Sequence, residues 1–346
     1  MASPVTNSDW LAWVARLVSA APELKCAPAY PADQFHCLLD ELPLHLVPQS
    51  FSPSLRSLAE RREGLVLNPD CEVLYGTHLP QELSSPHDTL KDFALEGAIA
   101  WVRRLRPHSL SPFWLGPRLE KALSAPAGTG VASLSDEDLG VLIAAGILLN
   151  RCDSKDGDER GMAALARAEE MFSKRNYAPV RSLIHPFHVA ALRRYYRYLI
   201  RNGKIRLGDG QSARRYVAHN DGVARFFHQQ ITSTVSAVVG EAVKPSYVYL
   251  ASYLSGAELK KHTDREQCEF SVTMAVDFSP EPVQETAWPI RLDTPQGTTA
   301  VFQVLGDGLV YRGTRVPHYR DRLPEGHTST SLFFHYVPLD FSGPLN

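Results

Sequence analysis

From Pro245 onward, apolar residues recur with a period of two. Tyr247 to Tyr253, Glu269 to Phe278, Ile290 to Asp293, Thr298 to Leu305, Leu309 to Tyr311 and Ser329 to Val337 alternate in this way, separated by Gly, Pro and Asp turns. Successive strand side chains face opposite ways, so such runs predict half-buried strands. Several short strands in series predict an antiparallel, double-layered barrel. Upstream the period changes to that of a helix. Val189, Leu192, Tyr195, Tyr196 and Leu199 share one face of a segment opened by Pro186, and Asn202-Gly203 ends it. Asp221 to Val239, closed by Gly240, predicts another helix, and Met162 to Asn176 a further one.

The first half reads as mostly helical. Helices are expected after Asn7-Ser-Asp9, from Asp88 to Leu105, in the Pro112 segment, and from Ser133 to Gly146. Helix, Gly and a short apolar run over 112–150 suggest a small winged-helix-like unit. Cys71 to Gly76 could be extended. The charged, Gly-containing stretch from Asp153 to Gly161 is read as a boundary. It separates an N-terminal domain, 1–152, from a C-terminal domain, 162–346.

Composition narrows the function only by exclusion. A formal net charge of −2 gives no global sign of a nucleic-acid partner. No apolar run approaches membrane-spanning length. The N-terminus lacks the basic start of a signal peptide. The five cysteines are scattered without a Cys-x-x-Cys pair, so neither a zinc ribbon nor a disulfide framework is indicated, and a reducing cytoplasm fits.

The candidate chemistry lies in Tyr253-Leu-Ser-Gly256-Ala-Glu-Leu-Lys-Lys-His262-Thr-Asp264. On an extended strand His262 and Asp264 point to the same side. A distal His318 follows Gly306-Asp-Gly308 and a short strand. Two imidazoles and a carboxylate on one face of an ion, with the other face open, form the ligand set of non-haem Fe(II) oxygenases. Zn(II) accepts the same three donors and could carry hydrolysis, so the residues alone leave the metal open. His327 and His335 are alternatives for the distal ligand, and His185-x-x-His188 reads as structural.

With these flanks, the stretch from Pro179 to Pro338 resembles the 2-oxoglutarate/Fe(II)-dependent dioxygenases, in particular their prolyl-4-hydroxylase-like branch. There a Tyr-x-x-Gly segment leads into His-x-Asp, and a distal His completes the triad. The resemblance implies an α+β chain. A C-terminal double-stranded β-helix (jelly roll) with bracing helices would follow the mostly helical N-terminal region. It implies His262, Asp264 and His318 as iron ligands, and 2-oxoglutarate and O2 as cosubstrates. The reaction would be hydroxylation of an unactivated C–H in an amino-acid, peptidyl or amino-acid-derived substrate. Because the carboxylate of Asp264 is present, halogenation is not implied.

In the family a Tyr at the place of Tyr253 helps hold the distal carboxylate of 2-oxoglutarate, with an Arg or Lys about ten residues after the distal His. Here Thr328 stands at that second place, a departure. Arg320 and Arg322 are the candidate replacement cations, Arg320 on the same face as His318 along an extended segment, with the hydroxyls of Thr328, Ser329, Thr330 and Ser331 completing the anchor. The departure also admits a catalytically silent binding protein that keeps the barrel.

Overall fold

The computed structural model describes residues 31, 33–51, 64–83, 88–125, 129–150 and 154–345. The helix expected after Asn7-Ser-Asp9 lies outside them.

The described N-terminal part is built largely on strands. β1 (Leu65–Leu67) pairs with β5 (Leu148–Asn150), and β2 (Cys71–Tyr75), β3 (Ala98–Leu105) and β4 (His108–Leu115) form an antiparallel sheet. This corrects the helix expected from Asp88 to Leu105. Only a 3₁₀ turn, Asp88–Leu90, is helical there. Gly97 at φ 80° turns the chain into β3, where Ala98 to Trp101 are all buried. A continuous apolar run of this kind carries no periodicity that separates strand from helix. The helices α1 (Pro117–Ser124), α2 (Thr129–Ala132) and α3 (Asp136–Ala144) follow. A capping box between Ser135 and Asp138 starts α3, as its Ser-Asp sequence predicts. Helix, Gly146 and β5 then run in the expected order. The stretch read as a linker instead enters a 22-residue helix, α4 (Ser154–Arg175).

The remaining elements are β6 (Tyr177–Val180), α5 (Pro186–Arg201), β7 (Arg206–Leu207), β8 (Arg215–His219), α6 (Gly222–Gln230), α7 (Thr232–Val239), β9 (Val243–Tyr253), β10 (Leu259–His262), β11 (Phe270–Ser279), β12 (Ile290–Thr294), β13 (Gly297–Val301), β14 (Gly308–Arg312), β15 (His318–Arg320) and β16 (Thr328–Pro338). They form two antiparallel sheets, β6-β14-β11-β16-β9-β8-β7 and β10-β15-β12-β13. From β9 to β16 the chain passes back and forth between the two sheets, a jelly-roll-like path. Tyr177, Leu309 and Tyr311 of the larger sheet pack on Ile290 and Leu292 of the smaller one, which closes the interior.

Helices brace the outer face of the larger sheet. His185 caps α5, Pro186 opens it, and its buried stripe includes Phe187, Leu192, Tyr195 and Tyr196. Arg193 and Arg197 of α5 both reach Asp277 of β11, with Nε–Oδ distances of 2.9 and 2.5 Å. Asp277 follows a bulge in the pairing of β11 with β16, which turns its carboxylate to the helices. One hydrophobic cluster joins the N-terminal part to this layer. Phe35 lies edge-on to Tyr195 and Phe227, and Phe93 to Phe226.

Candidate metal centre

His262 ends β10, His318 begins β15, and these neighbouring strands place the two rings 4.4 Å apart, centroid to centroid. Asp264 lies just past β10. Its Oδ1 is 3.7 Å from His262 Nε2 and 3.6 Å from His318 Nε2. One ligand atom from each of the three lies within 4.8 Å of the others. Such spacings let a single ion bind all three at first-row metal bond lengths of about 2.0–2.2 Å.

The surrounding bonds aim these donors. His262 Nδ1 is 2.7 Å from the Lys260 carbonyl, and His318 Nδ1 is 3.0 Å from that of Val316. A carbonyl only accepts, so each Nδ1 carries the proton and each Nε2 keeps its lone pair for a metal. Burial lowers the pKa of His318 despite the opposing pull of Asp264, which favours the neutral ring. Asp264 Oδ2 accepts from Ser271 Oγ at 2.7 Å, leaving Oδ1 toward the imidazoles. The backbone N–H of Asp264 donates to the carbonyl of Gly313 at 2.8 Å. A Cβ on Gly313 would lie 2.4 Å from the Cys268 carbonyl oxygen and 2.5 Å from Asp264 Oδ2, so only glycine fits there.

The centre opens into a cavity of 330 Å³ lined by Tyr247, Tyr249, Tyr253, Tyr311, Phe333 and Arg215, among others. Tyr247, Tyr249 and Tyr253 share a face of β9, as their spacing predicts. Arg215 is a functional candidate that sequence reasoning missed. Its Nη1 donates to Tyr253 Oη at 3.0 Å, and its Nε to Asp209 Oδ2 at 3.0 Å. Tyr249 Oη also donates to Asp209 Oδ2, at 2.6 Å. Burial works against the charge of Asp209, but the bonds from Arg215, Tyr249 and Ser212 hold its pKa at about 2. Because the Tyr253 oxygen accepts from Arg215, its own proton is left to donate elsewhere.

Arg320 lies on the same face of β15 as His318 and is 3% exposed. Its Nη1 donates to the Trp288 carbonyl at 2.5 Å and its Nη2 to Gln303 Oε1 at 3.3 Å, while its guanidinium lies 4.8 Å from the centre of the Trp288 ring. No carboxylate among the described residues forms an ion pair with it, and its buried Nε has no partner. Burial lowers its pKa to about 10, against the opposing pull of the nearby Tyr253 and Tyr311 hydroxyls. It sits behind the cavity wall formed by those residues rather than in the wall itself.

The two threonines lie elsewhere. Thr330 pairs with Ser252, and their hydroxyls bond at 2.8 Å on the helix-facing side of the larger sheet. Thr328, two residues earlier, shares that side, because the period of a strand is two. Ser329 and Ser331 instead share the interior face with Phe333 and His335. Of the four hydroxyls in this run, those of Ser329 and Ser331 therefore face the interior and those of Thr328 and Thr330 face away from it. His335 Nδ1 lies 2.9 Å from Ser271 Oγ, inside the network around Asp264. His185 and His188 serve packing: each bonds a backbone carbonyl and lies against Phe113. Among the described residues, no helix is long and apolar enough to cross a membrane.

No family model matches the chain. No curated protein matches it in sequence. Several solved structures are similar to part of it. A prolyl-4-hydroxylase from Pseudomonas putida is 17% identical over 50% of this chain and 98% of that one, with a TM-score of 0.42. The non-haem α-ketoglutarate-dependent epimerase SnoN from nogalamycin biosynthesis is 13% identical over 51% and 83%, with a TM-score of 0.42. HygX from Streptomyces hygroscopicus, solved with nickel, 2-oxoglutarate and hygromycin B, is 12% identical over 51% and 88%, with a TM-score of 0.40.

Proposed function

We propose that the chain is a Fe(II)/2-oxoglutarate-dependent oxygenase. Its C-terminal jelly roll would be a double-stranded β-helix. It would hydroxylate a C–H bond of a small amino-acid, peptidyl or amino-acid-derived substrate. The observation that carries this reading is the oriented triad. Two Nε2 lone pairs and Asp264 Oδ1 converge beside an open cavity, and separate hydrogen bonds fix each donor. Bound there, Fe(II) would supply the reaction of O2 with 2-oxoglutarate that oxidises the substrate C–H and releases succinate and CO2.

The remaining tasks belong to the chain's own side chains. Arg320 supports a dicarboxylate cosubstrate, because a buried guanidinium without a carboxylate partner is costly until an anion reaches it. Tyr253 lies beside it with a proton to donate. The link from Asp209 through Arg215 to Tyr253 keeps that hydroxyl in place. Leu259, Phe333 and the cavity tyrosines keep bulk water from the reacting C–H. A zinc hydrolase with the same three ligands would have no use for this second, cationic end of the interior.

The test is the anaerobic absorption spectrum of the chain with Fe(II) and 2-oxoglutarate, followed by succinate release in air. A weak visible charge-transfer band that disappears in His262→Ala is expected. Absence of the band in the wild-type chain would sink the cosubstrate assignment. Activity that survives without O2 in a zinc-loaded protein would favour the hydrolase.

A further inference from the structure

Asp264 belongs to two groups of possible ligands. One is the triad with His262 and His318. The other joins it to Cys268 and His335, again with one ligand atom from each within 4.8 Å of the others. Cys268 and His335 are both buried, at 0% and 5% exposure, so their closeness is not a chance meeting of mobile surface side chains. Ser271 Oγ bridges the pair around Asp264, at 2.7 Å from its Oδ2 and 2.9 Å from His335 Nδ1.

The sulfur has a prepared environment. Arg265 Nη2 donates to Tyr247 Oη at 3.0 Å, and Tyr247 Oη lies 3.1 Å from Cys268 Sγ. With its oxygen accepting from Arg265, the Tyr247 hydroxyl is free to donate to the sulfur. Burial raises the pKa of the Cys268 thiol to about 12, against the opposing pull of the Tyr247 bond and the Arg265 charge, so the proton leaves only when a cation takes its place on the sulfur. Asp264 and His335 line the cavity and give an ion its path inward. A thiolate with an imidazole and a carboxylate is the donor set of a thiophilic cation such as Zn(II), softer than the nitrogen and oxygen set of the first triad.

We propose that Asp264, Cys268 and His335 form a second site, for a thiophilic divalent cation, that shares Asp264 with the His262/Asp264/His318 triad. Binding releases the Cys268 proton to solvent as the metal–sulfur bond forms. A zinc ion held there draws on the carboxylate that the first triad needs, so it weakens Fe(II) binding without occupying His262 or His318. This consequence rests on the oxygenase reading; the site itself does not.

Co(II) is the probe, because a cobalt–thiolate bond absorbs strongly in the near ultraviolet. The full chain is titrated anaerobically with Co(II), as wild type and as Cys268→Ala and Cys268→Ser. The wild type is expected to show the thiolate band. Both variants should lose it while keeping the weaker visible cobalt absorption of the first triad, and their Zn(II) affinity should fall at least tenfold. Circular dichroism checks that each variant is folded. Absence of the thiolate band in the wild type overturns the proposal, and so does its survival in a folded Cys268 variant. Failure of the oxygenase reading has a different signature: wild-type chain without zinc shows no Fe(II)/2-oxoglutarate band, whatever cobalt reports.

Discussion

Each donor of the triad depends on a group that does not itself reach the metal. Ser271→Ala removes the bond to Asp264 Oδ2, and a lost partner of this kind typically weakens metal binding by about 10- to 100-fold. Equilibrium dialysis against Fe(II) or Co(II) should show that loss in a chain that still folds. Gly313→Ala should be worse, because its methyl group would meet the Cys268 carbonyl and the Asp264 carboxylate together. Arg320→Gln keeps much of the shape but removes the charge. It should raise the Kd for 2-oxoglutarate by about 10- to 100-fold, the worth of a charged hydrogen bond. Metal affinity should not change; an equal loss in both would make Arg320 a structural residue. The triad was legible because two of its members share one short stretch and the third follows a marked turn. Ser271, Gly313 and Arg215 were not, because each reaches the site through pairing between strands far apart in sequence.

At the level of elements, α5 is pinned to β11 by the two arginines that meet Asp277. Arg193 is wholly buried and also bonds Glu281 and the Leu46 carbonyl. Asp277→Ala leaves both guanidiniums with a lost partner, so it should destabilise the fold by about 3 kcal/mol, reduced to the extent that Glu281 takes over. Urea unfolding monitored by circular dichroism measures this, and a change below about 1 kcal/mol would show that the link contributes little. The C-terminal strands and helices were readable because one face of each is buried and the other is wet, which imprints a period on the sequence. β3 was misread for the opposite reason. Both faces of Ala98 to Trp101 are covered, so nothing alternates. The bulge in β11 is silent in the sequence as well, and so is the pairing of Thr330 with Ser252, which sets the side of the sheet on which Thr328 and Thr330 lie.

Across the whole molecule, several histidines lose solvent in the packing, among them His185, His188 and His228. Desolvation lowers the pKa of His185 to about 3, of His188 to about 4 and of His228 to about 3. Above the unfolded value of 6.5 these rings are neutral in both states. As pH falls below 6.5 the unfolded chain takes up protons that the folded chain refuses, so stability declines until the folded values are reached. The loss is about 1.4 kcal/mol per pH unit for each ring, or about 4 kcal/mol per unit for the three. Thermal melts should therefore show a steep fall in Tm between pH 6.5 and pH 4. An unchanged Tm between pH 7 and pH 5 would contradict the burial. The domain boundary was placed in a charged stretch because such residues often mark linkers. From Ser154 onward that stretch is part of α4.

The short strand β15 has one more implication. His318 and Arg320 are successive inward residues, so the backbone sets their Cα atoms about 6.6 Å apart. Neither can drift along the strand relative to the other without breaking pairs to both β10 and β12. In the proposed oxygenase this makes β15 a ruler. A five-carbon 2-oxo diacid is then expected to bind more tightly than one a carbon shorter, and a comparison of their Kd values would show it.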